Sequence, residues 1–516
     1  MSGEILLLFL ILVTVSFLLL GFPVAFVLGG AAFLIGFIGH FFGVFDISIF
    51  SAIPVRIFGI MTNDLLLAVP LFIFMGVTLE KSKIAEELLE NLGLLLGKLR
   101  GGLGVSVVIV GAILAASTGI VGATVVTMGL ISLPIMLKKG YSKDISCGII
   151  CASGTLGQII PPSIVLLLLA DQVSSAFKST QMELGNLSSE PISVTDIFYA
   201  AIIPGLLLVL FYILWIVIYA LINPRAIPQK VTFKRDVSIA KTIKSAFPPL
   251  ILMVVVLGSI LGGVATATEA SALGAVGAVI LSYARNNLSI NLLKTVSKET
   301  ARVSSMIFTI LIGATIFSLA FRGLGGDDLI HDFFKQLPGG LTSAVVICMI
   351  FIFLLGFVLD FIEIVFIVIP LILPPLVMLG ADPVWLAVLV ALNLQTSFLT
   401  PPFGFSLFYL RGVAEKSVKT QDIYKGVAPF IVIQIIVLAA IFYQPKIATY
   451  LPELQGYKTY QPQEININEG GKDSLNNFDD SYNQEEYNYD EDYNDNYQYD
   501  YQNKLQNKDP DNSVDF

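Results

Sequence analysis

The chain is 516 residues long, with 55% of them hydrophobic and 13% charged, against about 25% charged in an ordinary soluble domain. With a mean hydropathy of +0.81, it reads as a polytopic membrane protein, which excludes a soluble enzyme or a nucleic-acid binder. The formal net charge of −9 does not alter this, because most of the acidic excess falls in the last sixty residues and the apolar part is close to neutral.

Chemistry-bearing side chains are few. Cys147, Cys151 and Cys348 fall inside apolar segments and read as small buried hydrophobes. His40 and His331 are the only histidines and stand far apart, so no histidine-based triad, catalytic residue, cofactor or metal centre is expected. The start Met-Ser-Gly-Glu has no basic region and a second apolar span follows almost at once. The first span is therefore read as a transmembrane helix and not as a cleaved signal peptide.

Apolar spans of about 20 residues are marked at 5–20 and 24–42, separated by Gly21-Phe22-Pro23, and at 63–80. Residues 81–100 carry Lys81, Lys83, Glu86, Glu87, Glu90, Lys98 and Arg100 among leucines at helical spacing, as in a helix lying along the membrane surface. A long apolar run, 103–137, is broken by small and polar residues from Ala116 to Thr124, with Arg100 at one end and Lys138, Lys139 and Lys143 at the other. Basic residues mark the cytoplasmic side, so the run reads as a hairpin entering and leaving on one face. Two complete spans fit the charges equally well, but small polar residues at the bend favour a tip buried against protein.

Next comes 142–170, a helix interrupted by Ser153-Gly-Thr-Leu-Gly-Gln-Ile-Ile-Pro-Pro-Ser163. Pro161 and Pro162 lack amide hydrogens and restrict the residues before them, so an unwound turn is expected at membrane depth. Hydrocarbon cannot satisfy its open peptide groups, and such a break survives only against protein or a water-filled cavity, which makes it a candidate binding site. A polar segment, 171–195, and a span at 196–222 lead to a loop with Arg225, Lys230, Lys234, Arg235, Lys241 and Lys244.

Three spans follow, 246–263, 267–284 and 303–321, with Arg285, Lys294, Lys298 and Arg302 between the second and third. After a glycine-rich connector, 322–340, a second broken run at 341–379 holds Gly356, Asp360 and Glu363 near its middle. The helix 384–411 is then interrupted at Asn393-Leu-Gln-Thr-Ser-Phe-Leu-Thr-Pro-Pro-Phe-Gly-Phe-Ser406, and a last span runs 426–444. Leu133 and Leu373, Pro134 and Pro374, Gly140 and Gly380, Pro161 and Pro401, and Pro162 and Pro402 are each 240 positions apart. Such spacing marks an internal repeat of half the chain.

Placing every basic loop in the cytoplasm leaves both termini outside and gives each half an odd number of spans plus one hairpin. The halves then insert in opposite senses. The fold expected is an all-α polytopic membrane protein of about ten transmembrane helices plus two helical hairpins in an inverted repeat. Residues 1–222 form the first repeat (hairpin 103–137, broken helix 142–170), 223–245 a cytoplasmic loop and 246–445 the second repeat (hairpin 341–379, broken helix 384–411). The acidic remainder, 446–516, is rich in Asp, Asn, Tyr and Gln from about 459 onward and is expected to be disordered, with a docking arm for a basic partner as the alternative.

Several motifs resemble the large permease subunit of tripartite ATP-independent periplasmic (TRAP) transporters, the DctM-like family. They are Gly21-Phe22-Pro23-Val24-Ala25, the hairpin Ala116 to Pro134, Gly154 to Ser163, Thr266-Ala267-Thr268-Glu269-Ala270, Leu359-Asp360 and Thr400-Pro401-Pro402. Ala267 stands where the family usually has proline, and Ser397 where it usually has glycine. The resemblance implies an elevator-type, sodium-driven symporter in the bacterial inner membrane, with both termini periplasmic. Its implied partners are a periplasmic binding protein that delivers an organic acid anion, a small four-helix membrane subunit as a separate chain, and the lipid bilayer. The stretches Phe357 to Leu376 and Asn393 to Leu410 look most like a subgroup tied to 2-oxo acids and other monocarboxylates; a dicarboxylate is the other class.

Sodium wants oxygen ligands, which unwound carbonyls, hydroxyls and amides supply. One cage is expected from Ser117, Thr118 and Gly119 with Ser153, Gly154 and Gly157, and its repeat mate from Gly356 and Asp360 with Asn393, Thr396 and Thr400. For each hydroxyl the plainer reading is a bond back to its own helix. A substrate carboxylate is expected where hairpin and half-helix N-termini converge, at Thr155, Pro161, Pro162 and Ser163 and at Pro401, Pro402, Phe403 and Ser406. Glu269 and Arg322 are candidate coupling groups, or interfacial ion-pair partners. Competing classes are a carboxylate carrier working without a binding protein, an intramembrane enzyme, for which the hairpins offer only Asp360 and Glu363, and a channel, which has no evident need of the repeat.

Overall fold

Backbone in hydrocarbon must satisfy its own peptide groups, and the chain does this with helices; no strand occurs among the described residues. The computed structural model describes residues 3–82, 84–97, 99–119, 121–186, 190–227 and 239–460. The first half runs α1 (Gly3–Leu19), α2 (Val24–Phe41), α3 (Ile53–Met61), α4 (Asp64–Lys81) and α5 (Ile84–Leu96). It continues with α6 (Gly102–Thr118), α7 (Val121–Lys138), α8 (Lys143–Thr155), α9 (Ile164–Glu183) and α10 (Val194–Ile222). The second half repeats this order: α11 (Ile239–Leu261), α12 (Ala267–Ala284), α13 (Ile290–Gly323), α14 (Gly326–Gln336) and α15 (Gly340–Leu355). Then come α16 (Phe361–Glu363), a π turn over Ile364–Val368, α17 (Ile369–Met378), α18 (Pro383–Leu399), α19 (Phe405–Val413), α20 (Thr420–Tyr443) and α21 (Lys446–Leu454).

Every span expected from the sequence falls on one or two of these helices. Among the described residues seven helices are long and apolar enough to cross a membrane, eight if α3 and α4, bent by 53°, are counted as one span. The two halves use the same local devices. The α10 N-terminus is closed by the Ser193 amide donating to Asp196 Oδ2 at 2.9 Å, and that of α20 by the Lys419 amide donating to Asp422 Oδ2 at 2.8 Å. Negative charge in a first turn also suits the helix dipole.

Packing sorts the helices into two groups. In the first, here the frame, α2 packs along α13 and α4 along α12, with α1 on α2 and α11 on α12. In the second, the core, α6 and α7 lie on α8, α15 on α18, and α20 on both α8 and α18. Contacts exchange between the halves as a pseudo-two-fold axis requires: α7 of the first hairpin packs on α19, and α17 of the second packs on α9.

Four features depart from the sequence reading. A 3₁₀ turn, Ile47–Ala52, and α3 precede the third span, and Asn63 then starts α4 by accepting the Leu65 amide at 2.9 Å. The span at 303–321 is part of a single 34-residue helix, α13; Lys294, Lys298 and Arg302 sit on its exposed surface and not in a loop. The polar segment from 171 begins as helix, since α9 continues to Glu183. The acidic remainder starts with ordered chain: after α21 the Tyr457 hydroxyl and the Tyr460 amide donate to Asp382 Oδ2 at 2.8 and 2.9 Å. Burial there raises the Asp382 carboxyl above the ordinary range. The loop lysines Lys230 and Lys234 with Arg235, and residues 461–516, lie outside the described residues.

Glycine is required where α8 and α20 cross, because a Cβ on Gly148 would meet the Gly426 carbonyl and a Cβ on Gly426 the Asp144 carbonyl, all backbone atoms. A Cβ on Gly258 of α11, away from this crossing, meets nothing within 4 Å. Gly426→Ala should therefore lower the thermal midpoint of the detergent-solubilised protein, at a cost of about 1–3 kcal/mol, while Gly258→Ala leaves it unchanged. Equal midpoints for the two variants count against this crossing.

Candidate functional site

Both broken helices come apart at their Pro-Pro pairs. α8 ends at Thr155, a 3₁₀ turn covers Leu156–Gln158, and α9 restarts after Ser163; α18 ends at Leu399 and α19 starts after Gly404. The Pro161–Pro162 and Pro401–Pro402 peptide bonds are both cis. Each break is latched by a hydroxyl from its far side. Ser163 Oγ donates to the Gly157 carbonyl at 2.7 Å, with the Gln158 carbonyl at 3.1 Å, and Ser406 Oγ donates to the Phe398 carbonyl at 2.8 Å. Gln158 and Phe398 are equivalent under the 240-residue offset, so the latches close the same gap. Carbonyls left by the missing amides of proline are thus partly satisfied by side chains.

The remaining hydroxyls turn back to their own helices. Ser153 and Thr155 donate to the carbonyls of Ile150 (3.2 Å) and Ala152 (2.9 Å); Thr396, Ser397 and Thr400 donate to those of Leu392 (2.8 Å), Leu394 (2.9 Å) and Thr396 (2.7 Å). A hydroxyl that donates in this way keeps acceptor lone pairs. Asn393 reaches across to the second hairpin, its Nδ2 donating to the Met349 carbonyl of α15 at 2.7 Å.

The hairpins seat on the breaks through small residues. Gly119, in the left-handed region at φ 60°, ends α6, and a Cβ there would lie 3.0 Å from the Ile164 amide that opens α9. A Cβ on Gly154 would run into Val125 of α7, and one on Gly157 would lie 3.4 Å from the Ala115 carbonyl. On the other side, Gly356 closes on Ser397. The first set is therefore spread over two contacts, the tip on the α9 N-terminus and Ser153, Gly154 and Gly157 against the hairpin arms. The side chains of Ser117 and Thr118 lie outside the described residues. Asp360 is used as a helix cap: its Oδ1 accepts the Phe361 amide at 2.8 Å, and its own amide donates to Glu363 Oε2. Phe403 is exposed and faces Phe357 of the second hairpin, ring centroids 6.4 Å apart.

One contact was not anticipated. Gln395 Nε2 donates to Thr155 Oγ1 at 3.4 Å, across 240 residues. The two are repeat mates, so the pseudo-two-fold axis passes between them. The amide oxygen of Gln395 and both side-chain polar atoms of Gln158 are buried with no protein partner. Neither glutamine differs in the sequence from a helix-packing residue; only the offset, applied to Thr155, points to Gln395. Glu269 and Arg322 lie away from the breaks: Glu269 closes the α12 N-terminus by accepting the Thr266 amide at 2.8 Å, and Arg322 pairs with Asp327 at 3.3 Å.

The family model for the DctM component of the tripartite ATP-independent periplasmic transporters matches residues 10–447. The C4-dicarboxylate TRAP transporter large permease protein of Rhodobacter capsulatus is 29% identical over 397 residues, covering 76% of this chain and 87% of that protein. The isethionate TRAP transporter permease protein DctMQ of Oleidesulfovibrio alaskensis is 30% identical over 390 residues, 75% of this chain and 58% of that longer protein. Among solved structures, the Alcanivorax borkumensis YdaH transporter superposes with a TM-score of 0.54 at 12% identity, over 76% of this chain and 87% of that one, a likeness of fold alone.

Thr155→Val should remove the axial partner of the buried Gln395 amide, leaving it only the neighbouring Tyr212 hydroxyl, and destabilise the protein by about 1–3 kcal/mol. Adding Gln395→Leu should recover part of that loss, since both polar partners are then gone. Additive falls in the thermal midpoint across this double-mutant cycle speak against the axial contact.

Proposed function

The chain belongs to the DctM component family of tripartite ATP-independent periplasmic transporters, and from that premise we propose that it carries an organic acid anion inward by sodium symport. It does so as the large permease subunit of an inner-membrane complex with both termini periplasmic. Its partners are a periplasmic binding protein that delivers the anion and a small four-helix membrane subunit on a separate chain. A 2-oxo acid or other monocarboxylate is the first substrate class and a dicarboxylate the second. The observation that carries this reading is the pair of latched breaks placed about one axis, with Thr155 and Gln395 touching across it.

Within this proposal the core is the carrier and the frame is the scaffold of an elevator. The α9 and α19 N-termini open inside the breaks, where free amides and the helix dipole favour a carboxylate. Thr155, Pro161, Pro162 and Ser163 frame one such opening and Pro401, Pro402, Phe403 and Ser406 the other. The back-bonded hydroxyls of Ser153, Thr396 and Thr400 present lone pairs beside unwound carbonyls, which suits a hard cation. Gly119, Gly154, Gly157 and Gly356 supply close backbone approach, and Ser117, Thr118, Asp360 and Asn393 complete the two sodium sets. Membership of a permease family makes the chain a transport protein and not an intramembrane enzyme.

Proteoliposomes holding the full complex should accumulate labelled pyruvate or succinate when an inward sodium gradient and the binding protein are both supplied. Uptake that persists unchanged with potassium in place of sodium removes sodium coupling, and uptake without the binding protein points to a self-sufficient carboxylate carrier. Thr400→Val should raise the half-saturating sodium concentration about tenfold, equivalent to about 1.4 kcal/mol, with the thermal midpoint preserved. A normal sodium dependence in that variant removes Thr400 from the cage.

A further inference from the structure

A polar cavity of about 420 Å³ lies apart from the breaks, and none of the residues assigned above to sodium or substrate lines it. That volume is in the range of small-molecule sites, roughly 300–1,000 Å³. The walls come from both groups of helices: α4 and α13 of the frame with α3, which packs on α13, and from the core α9, which packs on α17 and α18, with Phe366, Pro370 and Pro374 of the second hairpin. Two arginines line it from different frame helices, Arg56 on α3 and Arg322 in the last turn of α13.

The lining sets two guanidiniums, Arg56 and Arg322, against the single carboxylate of Asp171. Arg322 has an ion pair with Asp327 at 3.3 Å, but both side chains are substantially exposed, 38% and 53%, so the pair is weak and easily exchanged. Arg56 is half-buried and makes no ion pair or hydrogen bond among the described residues. Asp171, the acid in the lining, is already occupied, its Oδ1 accepting from Asn63 Nδ2 and its Oδ2 from Gln172 Nε2, each at 2.8 Å. The cavity therefore holds a guanidinium with no direct ion-pair or hydrogen-bond partner, attracted only at a distance by Asp327, beside a second whose partner is replaceable. Serine hydroxyls of Ser175, Ser179 and Ser318 stand around them. A planar guanidinium with open donors matches a carboxylate in two-point geometry.

We propose that this cavity is an access site for a small organic carboxylate, held by Arg56 and assisted by Arg322, distinct from the site at the breaks. The inference rests on the organic-anion reading given above. Because its walls belong to the scaffold and to the carrier, the site exists only in one relative placement of the two. An anion bound there favours that placement by its differential affinity, and sliding of the carrier takes the site apart.

The test is thiol accessibility on the full chain in nanodiscs, which requires neither transport nor sodium. The native cysteines are buried, at 0%, 0% and 3% exposure, so Ser318→Cys places one reactive thiol in the cavity. Its labelling rates by an anionic and a cationic methanethiosulfonate are measured and their ratio taken. With the arginines present the ratio should favour the anionic reagent, and Arg56→Gln should lower it about tenfold, with a further fall when Arg322→Gln is added and an unchanged thermal midpoint. Millimolar pyruvate or succinate should slow labelling by both reagents in the Ser318→Cys protein and leave it unaltered in the Arg56→Gln background. A ratio indifferent to Arg56→Gln overturns the site, as does labelling that neither acid slows. Inorganic phosphate protecting as well as the acids overturns the carboxylate assignment. A chain that labels as expected yet accumulates no acid in proteoliposomes fails the transport reading alone.

Discussion

A peptide group in hydrocarbon has no water to turn to, and the architecture follows from how this chain deals with the two places where it breaks that constraint. Pro-Pro removes two successive amide donors from a helix in the middle of the protein. The carbonyls left behind must be covered, and Ser163 and Ser406 cover part of them from the restarted helix. The rest is enclosed by the hairpins, which close on the breaks at Gly119 and Gly356 of the hairpins and at Gly154 of α8. Enclosure by protein is what permits unwound chain at this depth, so the candidate site lies where the cost of irregular backbone is greatest and protein cover densest. The same enclosure explains why α8 and α18 are buried along nearly their whole length, which is unusual for helices in a membrane protein with so much lipid-facing surface.

Covering one break with its own hairpin leaves the restarted half-helix bare on its other side. The two-fold arrangement removes this problem: α7 covers α19, and α17 covers α9. Neither half can be complete alone, because each supplies the wall the other lacks. The axial contact between Thr155 and Gln395 and the hydrogen bond from Gln434 Nε2 to the Tyr212 hydroxyl at 2.8 Å tie the halves inside the core. Polar pairs buried at such a junction hold register more than they add stability. The frame uses the opposite chemistry, with α2 on α13 and α4 on α12 meeting through apolar and glycine surfaces such as Gly313, where a Cβ would meet the Ala25 backbone.

Much of this was legible in the chain because the signals are local. Hydropathy marks the spans, Pro-Pro marks the breaks, small residues between basic flanks mark the first hairpin, and a constant offset marks the repeat. The residues that escaped are those whose meaning depends on a distant partner. Asp382 reads in sequence as an ordinary N-cap, and it does accept the Trp385 amide at 2.8 Å; its second role, holding Tyr457 and Tyr460, spans more than seventy positions. Asp171 reads as loop polarity but answers Asn63 from 108 residues away. The length of α13 escaped for another reason: its first turns are too polar for a hydropathy window, yet nothing in them stops a helix once Ser289 has capped it by accepting the Leu292 amide at 3.1 Å.

The two breaks share a backbone plan and differ in side chains, and the difference separates what the fold demands from what function is free to choose. The offset pairs proline with proline at both positions, while Ser153 meets Asn393, Thr155 meets Gln395, Gly157 meets Ser397 and Ser163 meets Phe403. Prolines and a latching hydroxyl recur because an enclosed break needs them whichever half it lies in. The mates that diverge are small or hydroxylated in the first half, and larger, amide-bearing or aromatic in the second. Two cation sites built on such mates would be unequal in ligand number and field, and the two openings for a carboxylate would differ in size and polarity, since Phe403 is exposed beside Phe357 where Ser163 is buried and already bonded. A backbone plan shared by the two halves thus carries unlike side chains at its two breaks, and the symmetry of the fold does not extend to the chemistry lining them.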